Sequence, residues 1–237
     1  MSAHFKDRAE AGKLLAHALG KYKNKDVIVY ALPRGGVITG EEIAEYLGAP
    51  LDLIITRKIS HPTSPEYAIA AIAENGHVLG NSKEIMALDE DWLEEEISKQ
   101  REEVVRRREK YMGGRKTLSA KDKIVIVVDD GVATGLTLRV GVRQIRHQHP
   151  KKVVVAVPVL PASTAKILRK ECDELVAIDI PSDDKFMGAV GAYYDDFAQV
   201  EDEQVIRILD QNSTRLQEEI TPKEFIGSGR KTKKRLW

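Results

Sequence analysis

Residues 124–128, Ile-Val-Ile-Val-Val, form an unbroken apolar run, rich in β-branched residues, that ends at two aspartates. A strand apolar on both sides has to be covered on both faces, which is the condition of an inner strand in a parallel sheet. Residues 153–157 and 175–180 repeat the pattern, and the segments between the runs are long enough for crossover helices. The spacing predicts an α/β fold with a Rossmann-like, mostly parallel sheet and right-handed connections. Upstream, residues 27–32 read as a strand that meets Pro33-Arg34-Gly35-Gly36 at once, and Glu41, Ile43, Ala44 and Leu47 then mark a helix. Residues 51–56 read as a further strand.

The other segments decorate that frame. Phe5, Ala9, Gly12, Leu15, Ala16 and Leu19 fall at helical spacing, with Gly20 placed to close the helix by a left-handed cap. After Arg57-Lys58, the sequence Ile-Ser-His-Pro-Thr-Ser-Pro-Glu-Tyr carries two prolines and two serines, which argues against regular structure and for a mobile arm. Asn75-Gly76, between two short apolar runs, is a hairpin-turn signal. Leu93, Ile97, Val104 and Tyr111 predict a long, charged surface helix ended by Gly113-Gly114, within a helical insertion at residues 82–116. That helix fits a family-specific insertion or an oligomer contact, and its Arg106-Arg107-Arg108 cluster is placed either to meet phosphates or, the preferred reading beside Glu94 to Glu96 and Glu102-Glu103, to form a solvated face. Residues 181–198 break the rhythm and are placed to fold over the carboxyl ends of the strands as a hood. A final helix is expected near residues 201–209, then a polar, basic tail at 211–237 beyond a single domain of residues 1–210.

Lys plus Arg and Asp plus Glu each number 37, so no global charge attracts nucleic acid or membrane. The start lacks a secretory signal and no stretch has the length of a bilayer-spanning helix, so a cytoplasmic location is expected. Cys172 is the single cysteine, which excludes an internal disulfide and a thiolate metal cluster. It falls at a helix-to-strand junction and reads as a bland, partly buried thiol.

Chemistry concentrates at Asp129-Asp130-Gly131-Val132-Ala133-Thr134-Gly135-Leu136-Thr137. A strand delivers two carboxylates, and a loop of small residues opens the next helix, whose free N–H groups and positive dipole end suit an anion. Thr134 and Thr137 add hydroxyl donors for phosphate oxygens. The carboxylates suit ribose hydroxyls, or water on a bound cation. The P-loop lysine is missing and no G-x-G-x-x-G follows Val128, so an NTPase or nicotinamide enzyme is poorly matched.

This segment resembles the phosphoribosyl-diphosphate motif of the type I phosphoribosyltransferases: four apolar residues, two acids, three variable residues, then Thr-Gly-x-Thr. Leu32-Pro33-Arg34-Gly35-Gly36 resembles that family's diphosphate loop, and Arg57-Lys58 the basic pair that opens its flexible catalytic arm. Leu160-Pro161 and residues 181–197 resemble the later part of an uncharacterised branch. The resemblance implies that residues 131–137 hold the 5′-phosphate, that Asp129 and Asp130 hold the 2′ and 3′ hydroxyls, and that Arg34, Gly35, Gly36, Arg57 and Lys58 meet the diphosphate. Arg34, Lys58, Asp129 and Asp130 are the implied catalytic set.

It further implies transfer of a 5-phosphoribosyl group from phosphoribosyl diphosphate to a nitrogen acceptor, a nucleobase or another amine, with Mg2+ bound through substrate and water rather than by a protein ligand cluster. Phe186, Val190 and Tyr194 are placed either to contact the acceptor or to pack the hood. His61 and Glu66 sit in the arm with or without a catalytic role. Two rival readings stand beside transfer: a non-catalytic sensor of phosphoribosyl diphosphate or a nucleotide, and nucleic-acid binding through the basic tail. A homo-oligomer is compatible with all of these.

Overall fold

The computed structural model describes residues 3–220, without the side chains at 65, 66, 219 and 220. Helix α1 (Arg8–Ala18) is capped by the Asp7 carboxylate, which accepts from the Glu10 N–H, and leads to strand β1 (Val27–Ala31) and helix α2 (Gly35–Leu47). Strands β2 (Leu51–Leu53), β3 (Thr56–His61), β4 (Ser64–Ala73) and β5 (Val78–Gly80) follow, then helices α3 (Ser82–Ile85) and α4 (Glu90–Met112). The chain continues through β6 (Ile124–Val128), α5 (Leu136–Arg146), β7 (Lys152–Val159), α6 (Ala162–Glu171), β8 (Glu174–Asp179) and α7 (Asp202–Ile220).

Five strands pair in the order β2-β1-β6-β7-β8, all parallel. The inner strands are apolar on both sides because both faces are covered. Val29, Ala31, Ile126 and Val128 meet α1, α2 and α7, whereas Tyr30, Val125, Val127 and Val155 meet α5 and α6. From β1 the chain first adds β2 on one side and later β6 on the other, so strand order reverses between β1 and β6. Ligands of open parallel sheets bind beyond the carboxyl ends of the strands at such a point. The Leu32 N–H donates to the Val128 carbonyl across it at 2.9 Å, which sets the loop after β1 beside Asp129.

The structure differs from the sequence reading at several elements, among them the strand expected over residues 51–56, which ends at Leu53 with Thr56 opening β3. The proline-containing arm is a sheet, β3-β4-β5, antiparallel throughout, with Ile59-Ser60-His61 in β3. Pro62 falls in the turn between β3 and β4, where no ladder N–H is needed, so it does not stop either strand. Gly20 does not close α1 by a left-handed cap: Leu19 occupies the cap and a 3₁₀ turn at Gly20–Tyr22 follows. Helix α7 runs past Leu209 to Ile220, because Asn212 and Arg215 bond inward. The Leu51 N–H donates to Asn212 Oδ1 at 2.9 Å, and Arg215 reaches the Ala44 carbonyl. The basic stretch at residues 230–235 lies outside the described residues.

Helix α4 is tied to the sheet by charge. Arg108 donates to the Leu53 carbonyl at 2.9 Å and lies 3.1 Å from the fully buried Asp52 carboxylate, which also accepts from the Leu118 N–H. The three arginines expected on one solvated face therefore diverge, with Arg108 turned inward and Arg106 and Arg107 on Glu103. Among the described residues no helix is long and apolar enough to cross a membrane.

Candidate active site

Beyond the carboxyl end of β6 lies a cleft of about 300 Å3, lined by Pro33, Thr56, Lys58, Asp129 to Gly135, Thr137 and Val190. The local sequence explains its shape. Gly131 and Gly135 adopt φ of +148° and +77°, values that side-chain-bearing residues rarely take. A Cβ on Gly131 would also overlap the Val190 side chain, so the hood closes directly on the loop. Gly135 caps α5 with no side-chain hydrogen bond, leaving the first-turn N–H groups facing the cleft end of the helix. The loop is pinned from behind: the Val132 N–H donates to the Val159 carbonyl, and the Thr164 hydroxyl to the Ala133 carbonyl at 2.7 Å.

Gly35 and Gly36 open α2 against the same strand end. A Cβ on Gly35 would overlap Oδ2 of Asp130, and one on Gly36 would lie 2.9 Å from Asp129 Cα. Both glycines therefore permit a helix N-terminus to abut two carboxylates. The Pro33–Arg34 peptide is cis.

Asp130 has a partner that sequence reading missed. Arg8 Nε donates to its Oδ2 at 2.6 Å, the Arg8 guanidinium stacks 3.7 Å over the Phe197 ring, and Arg8 Nη1 reaches the Ala198 carbonyl. Tyr194 donates its hydroxyl to the Asp130 carbonyl at 2.5 Å. Burial raises the Asp129 carboxyl well above the usual range, and the neighbouring Asp130 charge adds to it. Burial also raises Asp130, but Arg8 opposes the shift, so negative charge concentrates on Asp130 and Asp129 holds its proton longer. Tyr194 is raised by burial and by Asp130.

Other predicted site residues are dispersed. Lys58 is exposed at the mouth of the cleft, with no carboxylate within ion-pair distance among the described residues. Arg34 turns toward the start of α7, 3.7 Å from Glu201 and 3.6 Å from Asp202. Arg57 points to α4, where its Nε donates to Gln100 at 2.9 Å. Thr134 is exposed and Thr137 half-buried on the cleft wall. Of the hood residues, Val190 lines the cleft, whereas Tyr194 packs between Phe5 and Phe197 and Phe186 packs on Tyr193. His61 bonds locally to Thr63; the Glu66 side chain lies outside the described residues. Cys172 is buried at the end of α6, its thiol pushed up by burial. Among the described residues no cluster of three or more His, Cys, Asp or Glu side chains is arranged to hold a metal ion.

Comparison with known proteins bears on the same segments. The family model described as "Phosphoribosyl transferase domain" matches residues 5–195. Two Mycobacterium tuberculosis proteins, from strains CDC 1551 and H37Rv, carry phosphoribosyl transferase names and are each 36% identical over 208 residues, 87% of this chain and 46% of theirs. The chain thus spans about half the length of these curated relatives. The crystal structure of TT1426 from Thermus thermophilus superposes with a TM-score of 0.74 at 38% identity, covering 88% of this chain and 98% of that one.

Proposed function

This chain belongs to the phosphoribosyl transferase domain family, and from that premise we propose that it transfers a 5-phosphoribosyl group from phosphoribosyl diphosphate to a nitrogen acceptor. The observation that carries the reading is the meeting, in one cleft, of an uncapped helix N-terminus and two adjacent carboxylates at the strand-order reversal. The first-turn N–H groups of α5, with Thr134 and Thr137, bind the 5′-phosphate. Asp129 and Asp130 accept from the ribose hydroxyls, and Arg8 fixes the orientation of Asp130.

The departing diphosphate meets the backbone N–H groups of Gly35 and Gly36 and the Lys58 ammonium, which stabilise the charge that develops as the bond to the ribose anomeric carbon breaks. The anomeric carbon gains oxocarbenium character, and the nearby carboxylates offset it. No protein nucleophile is needed. Arg8 Nε engages one oxygen of Asp130 and the Asp130 N–H one oxygen of Asp129, so each acid keeps an oxygen that would meet water on a magnesium ion carried by the diphosphate. When bound there, it neutralises phosphate charge and so improves the leaving group. The acceptor enters on the Val190 side, beneath the hood.

The test is a panel of nucleobases and small amines incubated with phosphoribosyl diphosphate and magnesium, read by diphosphate release and by product mass. A phosphoribosylated product that is lost in Asp129→Asn/Asp130→Asn protein is the expected result. Absence of donor binding by folded wild-type protein overturns the reading. Tight donor binding with no turnover for any acceptor makes the chain a sensor of the donor.

A further inference from the structure

Strands β7 and β8 carry the same kind of apolar run but end in different surroundings. Every residue of β7 from Val153 onward is buried, whereas all six residues of β8, from Glu174 to Asp179, are half-exposed. The cause is topological: β7 lies between β6 and β8, and β8 is the last strand on its side, paired with β7 alone. A strand's backbone groups alternate between its two borders, so half of those of β8 face away from β7. Among the described residues, no hydrogen bond from outside the ladder reaches the backbone of Leu175 to Ile178.

Exposed borders of this kind are ordinarily blunted by a lysine, a proline, a bulge or a covering segment. Leu175-Val176-Ala177-Ile178 has neither charge nor proline, and its register on β7 is unbroken from Glu174 to Ala177. Val176 and Ile178 pack on the α1 side and Leu175 and Ala177 on the α5–α6 side, so the helices cover the faces and leave the border open. Its flank on α1 is apolar too. Helix α1 lies over β7 and β8 and sets Gly12 against Thr39 and Glu42 of α2. Leu14, about half a turn from Gly12, therefore looks away from α2 toward the β8 border, and it is 44% exposed. Charge is graded along the strand. At its amino end Lys21 and Lys152 share one carboxylate, Glu174, at 2.6 and 2.8 Å, while its carboxyl end carries Asp179, which accepts from the Ala3 N–H, followed by Asp183 and Asp184. A strip positive at one end and negative at the other complements itself under a two-fold rotation.

We propose that the outer border of β8 docks a second copy of this chain, the two β8 strands pairing antiparallel across a two-fold axis to join the five-stranded sheets into one. Residue 174 of one copy then faces residue 179 of the other, which brings Lys21 and Lys152 toward the partner's Asp179 at both ends of the junction. Leu14 and the partner's Leu14 close over the same face of it. Antiparallel pairing turns the two clefts to opposite ends of the dimer. Because those clefts are built on β1 and β6, they stay clear of the contact.

Analytical ultracentrifugation over a range of concentrations tests it on wild-type, Ala177→Lys, Leu14→Glu, Lys21→Glu and Asp179→Lys proteins, with thermal unfolding run on each. Wild type should form a dimer whose amides from Leu175 to Ile178 exchange with deuterium more slowly as concentration rises. Each substitution opposes like charges across the axis and should raise the dimer dissociation constant by about a hundredfold. Mixing Lys21→Glu with Asp179→Lys protein should restore dimers, because opposite charges then meet at both ends of the junction. The exposed substitution Leu14→Glu and the mixture decide even where Ala177→Lys protein fails to fold. A monomeric wild type overturns the proposal, as do dimers that survive the substitutions in folded protein. Wild-type dimers with freely exchanging β8 amides, or a mixture of two folded variants that stays monomeric, overturn it as well.

Discussion

Arg8 Nε lies 2.6 Å from Asp130 Oδ2, joining the first helix to the end of β6, the central strand of the parallel sheet, across 122 residues of chain. Both side chains are largely buried, so neither is free to find water when the other is removed. Arg8→Gln should destabilise the protein by about 3 kcal/mol, measured by urea unfolding at neutral pH. The deficit should shrink in acid, where Asp130 takes a proton and no longer needs a counter-charge. In a double-mutant cycle with Asp130→Asn, the combined loss should be smaller than the sum of the single losses; strict additivity would show that the contact is idle.

Asp129 couples stability to pH in the opposite sense from a salt-bridged carboxylate. Its folded-state pKa lies above its unfolded value, so the folded protein binds more protons between the two values. Stability therefore falls as pH rises from the ordinary aspartate range through the raised one. Asp129→Asn keeps an oxygen for the Asp130 N–H and removes the titration. It should raise the thermal midpoint of the unliganded protein at neutral pH and flatten that slope, while weakening phosphoribosyl-diphosphate binding by about 10- to 100-fold. A variant equal to wild type in both midpoint and affinity would remove Asp129 from the site.

Gly35→Ala tests the close approach of α2 to the acid pair. Its Cβ would occupy the place of the Asp130 carboxylate oxygen and lie 2.9 Å from Arg8 Nε, so something must shift. Overpacking of this kind should cost about 1–3 kcal/mol and reduce donor affinity with it. Gly20→Ala, whose Cβ would find its nearest neighbour, the Tyr46 hydroxyl, at 3.4 Å, should stay within about 0.5 kcal/mol of wild type. Unfolding curves for the two variants compare the sites directly.

Lys58→Met should act on turnover alone. The ammonium is exposed and unpaired among the described residues, so its removal leaves the core untouched. Once an acceptor is known, the transfer rate should fall by about a hundredfold, with the thermal midpoint unchanged. Wild-type turnover would take Lys58 out of the chemistry.

Much of this site is legible along the chain, because its chemistry is local. The apolar run of β6, two acids, two glycines and two threonines are contiguous, and the glycines that open α2 directly follow β1. Arg8 is illegible for the opposite reason: one arginine on an amphipathic helix reads as solvent-facing until the fold brings Phe197 and Asp130 around it. Arg108 is hidden in a run of three arginines whose directions differ by helical rotation, so that composition alone cannot separate it, turned inward, from Arg106 and Arg107 on Glu103. The β3–β4 hairpin escapes because Pro62 and Pro65 dominate local propensity, although Pro62 falls where the ladder asks for no donor. Helix α7 is read short because its buried face beyond Leu209 is polar, carried by Asn212 and Arg215 in place of apolar side chains.

The bonds that Asn212 and Arg108 make to β2 bear on assembly. In a parallel pair, alternate backbone groups of an outer strand point away from the sheet, where another chain's strand could bond to them. On β2 three of those groups are occupied: the Leu51 N–H by Asn212, the Leu53 N–H by the Asp52 carboxylate at 2.7 Å, and the Leu53 carbonyl by Arg108. That border cannot be lengthened by strand addition without first breaking buried polar bonds. Self-association by sheet extension is thereby directed away from β2, and the side of the molecule carrying α4 and α7 stays closed to templated aggregation.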